Sequence, residues 1–210
     1  MAAYGTINRD YGIQLVKTDP ETDTGIYMLN FMKYRERAVY DGQADGAVSG
    51  READDRYAPV DVLAAIGAHM CFLADVVKAS EDWDRIAVVR YATRRSFVEM
   101  QNRDDFKQKH VHKEAGMDHT TIMGTVPAAA PPASAKPNHL LIEAWKGSTP
   151  APVVGGASTG FTVEGTIIGD GREWDGVRYT EVDAGTEVDC SGATPQHMLV
   201  VVKPVIERWQ

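Results

Sequence analysis

A proline- and alanine-rich segment, VPAAAPPASAKPN at 126–138, constrains the organisation of the chain most strongly. It contains four prolines in thirteen residues. Proline lacks a backbone N–H and fixes φ, so it interrupts both helices and sheet ladders. This composition is typical of an extended linker. The sequence therefore predicts a first domain at 1–125 and a second part at 139–210.

The first domain contains segments that predict the order strand, helix, strand, strand, helix, strand. The first helix begins at a capping box formed by Ser49 and Glu52, and Pro59 interrupts it. The second helical segment, RRSFVEMQNRDDFKQKHVHKEAGM, is stepped at NRDD and ends near Gly116. This order predicts an α+β fold, the ferredoxin-like split βαβ unit, with helices on one face of an antiparallel sheet.

The second part, 139–210, predicts strands and turns without an amphipathic helix. A weak internal likeness, EDWDRIAVVRY against REWDGVRYTEV, leaves open a degenerate second unit. A four-stranded sheet with one bare apolar face needs a cover. We therefore expect a homodimer, unless 139–210 covers that face within the chain.

Charge and targeting signals narrow the class of protein. The chain has 22 basic and 30 acidic residues, a net charge of −8, so nucleic acid and anionic membranes are poor partners. The sequence lacks a signal-peptide pattern and an apolar run of about 20 residues, which predicts a soluble cytoplasmic protein. Cys71 and Cys190 are far apart and have no C-x-x-C neighbour, so we expect two buried thiols.

Several residues of the first domain resemble the domain-of-unknown-function 1330 family of the dimeric α/β-barrel superfamily, over about 25–125. They are a Trp-Asp pair before the third strand, a turn that begins with an aromatic residue, a helical phenylalanine and an acidic-aromatic pair (Trp83 and Asp84, Tyr91 to Thr93, Phe97, Asp105 and Phe106). The turn carries alanine where proline is usual. The resemblance implies the fold and a small-molecule pocket between sheet and helices. It does not choose among the monooxygenases, isomerases, cyclases, dehydratases and haem proteins of that superfamily.

The candidate catalytic residues lie mainly on the second helix. His110 and His112 can move protons near neutral pH, and a helical stripe drawn from Phe106 predicts that His112 faces the sheet while His110 lies at the flank. Two helical positions two residues apart point in different directions, so a metal site is not expected. Tyr57 falls on the apolar stripe of the first helix and its hydroxyl can line the pocket.

Three further residues are candidates for substrate binding. Asn30 lies within an apolar strand and needs hydrogen-bond partners, from neighbours or from a ligand. Arg35 at the end of that strand can bind an anionic group, or can be solvated. His69 opens the second strand and can approach the same pocket.

These observations predict a small-molecule enzyme without an organic cofactor or metal, acting by histidine-based proton transfer on a compact carbonyl or aromatic substrate. The reaction would be of the lyase, isomerase or cyclase type. P-loop, G-x-G-x-x-G and G-x-S-x-G patterns are absent from the sequence. The alternatives are a monooxygenase or haem-dependent barrel enzyme, and a non-catalytic ligand-binding or assembly protein.

Overall fold

The computed structural model describes residues 4–44, 46–128 and 139–209. The helices are α1 (Arg9–Lys17), α2 (Gly50–Tyr57), α3 (Val60–Ala65), α4 (Arg94–Met100) and α5 (Asp104–Gly116). The strands are β1 (Thr6–Ile7), β2 (Ile26–Tyr34), β3 (Val39–Tyr40), β4 (Gln43–Ala44), β5 (His69–Ala79), β6 (Arg85–Tyr91), β7 (Met117–Pro127), β8 (His139–Trp145), β9 (Ser158–Gly169), β10 (Gly176–Val182) and β11 (His197–Glu207).

Eight long antiparallel strands form one closed barrel. Their order is β9-β10-β8-β11-β5-β6-β2-β7, and the pairing of β7 with β9 closes the ring. The short strand β1 adds to β9, and β3 pairs only with β4. Each half of the chain therefore contributes four consecutive strands, which meet at the β5–β11 and β7–β9 pairs.

The predicted fold class is wrong, because the sheet of the first half does not stand alone as a ferredoxin-like split unit with a β extension. The strands of the second half continue that sheet and turn it into a single barrel. The apolar face that motivated a homodimer is covered within the chain, where Leu29 and Phe31 of β2 share one core with Ile142 of β8 and Val200 of β11. The predicted segment 126–138 falls mostly outside the described residues, and its first two residues belong to β7.

The barrel interior is packed with side chains. Trp209, which follows β11, is 1% exposed and belongs to the core of the barrel. Its ring stacks on Phe72 with a centroid distance of 5.4 Å and also contacts Tyr27, Phe161 and Tyr179. Because aromatic rings fill this interior, space for a ligand lies outside the barrel.

The helices cover the outer face of the first-half strands, and local signals explain where they begin and end. Ser49 and Glu52 form the expected capping box at the start of α2. Pro59 separates α2 from α3, and the step between α4 and α5 falls where NRDD predicts it. None of the described helices is long and apolar enough to cross a membrane.

Candidate functional site

A cavity of about 740 Å³ lies between the outer face of the barrel and the helices. Strands β2, β5, β6 and β7 form its floor, α1 to α5 form its walls, and β9 contributes at one edge. Most of the lining is apolar, as in Met28, Val89, Phe97, Met100, Ile122 and Ile167. A cavity of this size and character suits a small, largely apolar organic molecule.

A close crossing of α2 and α5 brings the polar residues of the cavity together. Gly50 at the start of α2 lies against Gly116 at the end of α5, where a side chain on either would collide with the other's backbone. Their backbones are also linked through Arg35, whose N–H donates to the Gly116 carbonyl and whose carbonyl accepts from the Gly50 N–H. The crossing sets Tyr57 of α2 beside His110 of α5, with a ring centroid distance of 6.1 Å.

His110 lines the cavity and is joined to a residue from the start of the chain. Its Nε2 lies 2.9 Å from the hydroxyl oxygen of Tyr4, which also lines the cavity. Its Nδ1 lies 3.7 Å from Oε1 of Glu114. Burial, and then the positive charge of Lys113, lower the pKa of His110 to about 4. Burial raises the pKa of Tyr4, so at neutral pH the pair is an uncharged imidazole and a protonated hydroxyl.

Lys113 is a buried amine on the same wall. Its side chain is 7% exposed, and Nζ lies 5.3 Å from the centroid of the Tyr57 ring. Within the described ranges, the Nζ atom of Lys113 has no hydrogen bond and no ion pair within 4.0 Å. Burial lowers the pKa of Lys113, and the more distant carboxylate of Asp54 opposes that effect.

Two groups of the cavity lining can form a hydrogen bond with a polar atom of a ligand. The hydroxyl of Tyr57 has no hydrogen-bond partner in the described part of the chain, and burial raises its pKa, so it remains a donor. Asn30 donates from Nδ2 to the Met28 carbonyl at 2.9 Å, which leaves its Oδ1 on the cavity side without a partner there. These groups supply one donor and one acceptor within apolar walls.

A network of charges borders the cavity. Arg85 of β6, whose side chain is 9% exposed, lies 2.7 Å from Oδ1 of Asp55 and 3.4 Å from Oδ1 of Asp75. The Tyr34 hydroxyl donates to Oδ2 of Asp54 at 2.6 Å, and that oxygen lies 3.8 Å from Arg85. Because α2 carries Asp54 and Asp55, the network fixes α2 against the barrel.

Three of the predicted site residues line the cavity: His110, Tyr57 and Asn30. The predicted orientation of α5 is wrong in this respect, because His112 does not face the sheet. It points to the other side of the helix, where its Nδ1 lies 2.9 Å from the Tyr40 hydroxyl oxygen. His110, assigned to the flank from the sequence, occupies the position expected for His112.

The other two predicted residues also lie outside the cavity lining. Arg35 donates from Nη1 to the carbonyls of Glu114 and Ala115 at 2.8 and 3.1 Å, so it caps the end of α5. His69 at the start of β5 is half-buried, its Nε2 has no partner among the described residues, and burial lowers its pKa. Neither position supports binding in this cavity.

The sequence analysis missed Tyr4, Lys113 and Arg85. Lys113 carried a usable signal, since it is seven residues beyond Phe106 and so lies on the same helical face. Tyr4 carried none, because its partner His110 is 106 positions away. In the described ranges, no three His, Cys, Asp or Glu residues are placed to hold a metal ion.

Comparison with solved structures supports the fold of this chain and no particular function. The methylated RPA0582 protein is 22% identical with a TM-score of 0.53, and the match covers 62% of this chain and 98% of that one. A second structure, RPA0582 of unknown function from Rhodopseudomonas palustris, is 20% identical with a TM-score of 0.50, over 58% of this chain and 95% of that one. No protein-family model matches the sequence, and no curated protein matches it.

Proposed function

We propose that the protein is an enzyme that moves a proton on a compact, largely apolar carbonyl compound. The reaction is an isomerisation, cyclisation or elimination that uses no organic cofactor. One observation carries the proposal: His110 lies at the wall of an apolar cavity, uncharged and joined to the Tyr4 hydroxyl at 2.9 Å. A neutral imidazole in reach of a ligand can accept a proton, which is what general base catalysis requires.

The proton passes through the Tyr4–His110 pair. The Tyr4 oxygen takes the proton from the carbon beside the substrate carbonyl while its own proton moves to Nε2 of His110. The imidazolium that forms has Glu114 near Nδ1, where the carboxylate stabilises the new positive charge. The pair reverses the transfer when the proton returns to another atom of the substrate.

Negative charge develops on the carbonyl oxygen as the proton leaves. The Tyr57 hydroxyl is the donor available to that oxygen, and in a water-poor cavity such a donor stabilises charge more strongly than it would in water. The apolar floor and helical walls hold the hydrocarbon part of the substrate.

Cys71 and Cys190 are both free and buried, which is consistent with a cytoplasmic location.

The test is hydrogen–deuterium exchange at the carbon beside the carbonyl. Acetophenone, cyclohexanone and 2-butanone are incubated with the protein in deuterated buffer, and deuterium uptake is followed by proton NMR. We expect protein-dependent exchange that falls by roughly 10²-fold or more in His110→Gln. His112→Gln is the matched control on the same helix, and it should keep the wild-type rate.

Two results would overturn the proposal. One is equal exchange in wild type and His110→Gln. The other is ligand binding, seen as a raised melting temperature, without exchange of any ketone, which would indicate a binding protein instead.

A further inference from the structure

Lys113 is the strongest feature that the proposed proton transfer does not use. The amine lies in an apolar cavity with no carboxylate within 4.0 Å among the described residues. An ammonium ion in such a place is costly unless it is paired, so burial lowers the pKa of Lys113 and makes its uncharged amine more accessible to a ligand. An uncharged lysine amine is a nucleophile for carbonyl carbon.

We propose that Lys113 forms a covalent imine with an aldehyde or ketone bound in the cavity. This inference rests on the proposed function, since it takes the same carbonyl ligand and assigns the residue that activates it. It names Lys113 as a catalytic residue, because Nζ would bond to the reacting carbon.

The step balances with groups already in the cavity. The Nζ lone pair forms the C–N bond as the carbonyl π pair moves to oxygen. That oxygen takes one proton from the amine and one from the Tyr4–His110 pair or water, and leaves as water. The product is a protonated imine, whose positive charge would lie near the face of the Tyr57 ring, as the amine does at 5.3 Å.

Imine formation resolves a difficulty in the proton transfer. A histidine with a pKa of about 4 is a weak base, and a ketone holds its neighbouring hydrogens tightly. A protonated imine draws electrons away from the adjacent carbon, so the same weak base can remove its proton. His110 and Lys113 are three residues apart on α5, on the same side of the helix. The two residues would thus act on adjacent atoms of one substrate.

Reductive trapping tests the proposal directly. The folded protein is incubated at pH 7 with acetaldehyde, hexanal or benzaldehyde and sodium cyanoborohydride, which reduces a protonated imine to a stable secondary amine. Peptide mass spectrometry then locates the label. We expect Lys113 to carry roughly tenfold or more label than Lys107, an exposed lysine of the same helix.

Matched variants make the result decisive. Lys113→Met should remove the dominant label, whereas Lys107→Met should leave it unchanged. Label spread over surface lysines with none on Lys113 for all three aldehydes would overturn the proposal. Ketone exchange that is undiminished in Lys113→Met would also overturn it, and would leave the His110 proton transfer standing. Dominant label on Lys113 without His110-dependent exchange would instead retain the imine and refute the proton transfer.

Discussion

The hydroxyl oxygen of Tyr4 lies 2.9 Å from Nε2 of His110, across 106 positions of the chain. The N-terminal segment is held in place for this contact by the barrel, since the Thr120 N–H donates to the Tyr4 carbonyl at 3.0 Å. Gly5 follows, and a side chain there would lie 2.7 Å from the Ile168 side chain. Tyr4 is therefore part of the candidate site.

Removing the Tyr4 hydroxyl should affect both stability and proton transfer. Tyr4→Phe loses one partly buried hydrogen bond and leaves the imidazole nitrogen without a partner, which should cost about 1–2 kcal/mol in urea unfolding. It should also lower ketone exchange nearly as far as His110→Gln does. Full exchange in Tyr4→Phe would show that His110 acts without Tyr4.

The buried histidine predicts a specific loss of stability in acid. The pKa of His110 is about 4 in the folded protein and near 6.5 when unfolded, so between these values the unfolded chain binds more protons. Stability contributed by the neutral form is complete above pH 6.5 and is lost as pH falls towards 4. Its size is roughly 3 kcal/mol, from about 1.4 kcal/mol per pKa unit.

A difference measurement isolates this effect from the carboxylates. Urea unfolding of wild type and His110→Gln is compared at pH 7 and pH 4.5. We expect wild type to lose about 2–3 kcal/mol more than the variant. Equal losses would show that His110 is already protonated or exposed in the folded protein. The titratable neighbours of His110 on α5 are Lys113 and Glu114, and wild type and His110→Gln both keep them.

Replacing the buried lysine should not weaken the fold. Lys113→Met keeps a long, flexible side chain and removes an amine that lacks an ion pair in the described structure, so the free energy of unfolding should stay equal or rise by about 1 kcal/mol. Lys107→Met should change it by less than about 0.5 kcal/mol. A loss of more than about 1 kcal/mol in Lys113→Met would mean that the amine has a favourable partner.

The Arg85 network should contribute strongly to stability. Arg85→Met leaves the carboxylates of Asp54 and Asp55 without their cation, and we expect a loss of about 3 kcal/mol in urea unfolding. Arg51→Met is the control, because Arg51 contacts Asp75 from an exposed position and should cost below about 1 kcal/mol. Equal losses in the two variants would contradict a special role for Arg85.

A glycine pair under α1 offers a test of the cavity wall. Gly124 of β7 and Gly165 of β9 are paired, and the Tyr11 ring lies over them, so that a side chain on Gly165 would lie 2.6 Å from the ring. Gly165→Ala should displace α1, cost about 1–3 kcal/mol and weaken ligand binding. Gly192→Ala, at an open position, should change neither quantity. A melting curve and a ligand titration compare the two variants, and unaltered binding in Gly165→Ala would show that α1 does not shape the cavity.

Local signals in the sequence predicted the long strands and the helical segments after β2, but they predicted neither α1 nor how the strands assemble. The capping box at Ser49 and the break at Pro59 depend only on neighbouring residues, and both are confirmed. Closure of the barrel depends on the β5–β11 and β7–β9 pairs, which join residues far apart in the chain. Strand patterns alone do not specify which strands pair across such distances.

The sequence predicted only part of the candidate site, because the burial of side chains on α5 does not follow their polarity. On α5, Val111 is 49% exposed while Lys113 is 7% exposed, the reverse of what polarity predicts. The stripe drawn from Phe106 used positions three, six or seven and ten residues further on, and so it pointed to His112. His110, four residues after Phe106, shares the cavity face with Lys113 instead. Such departures from the polarity pattern are expected at functional sites.

Closure of the sheet also ties the shape of the cavity to strands remote from its centre. In a closed barrel, strand tilt, stagger and radius are linked, so the curvature of any four strands is fixed by the other four. Ile167 and Ile168 of β9 show the link directly, since they belong to the second half and line the cavity of the first. Substitutions in β8 or β10 that enlarge the barrel would therefore change the shape of the cavity without belonging to its lining.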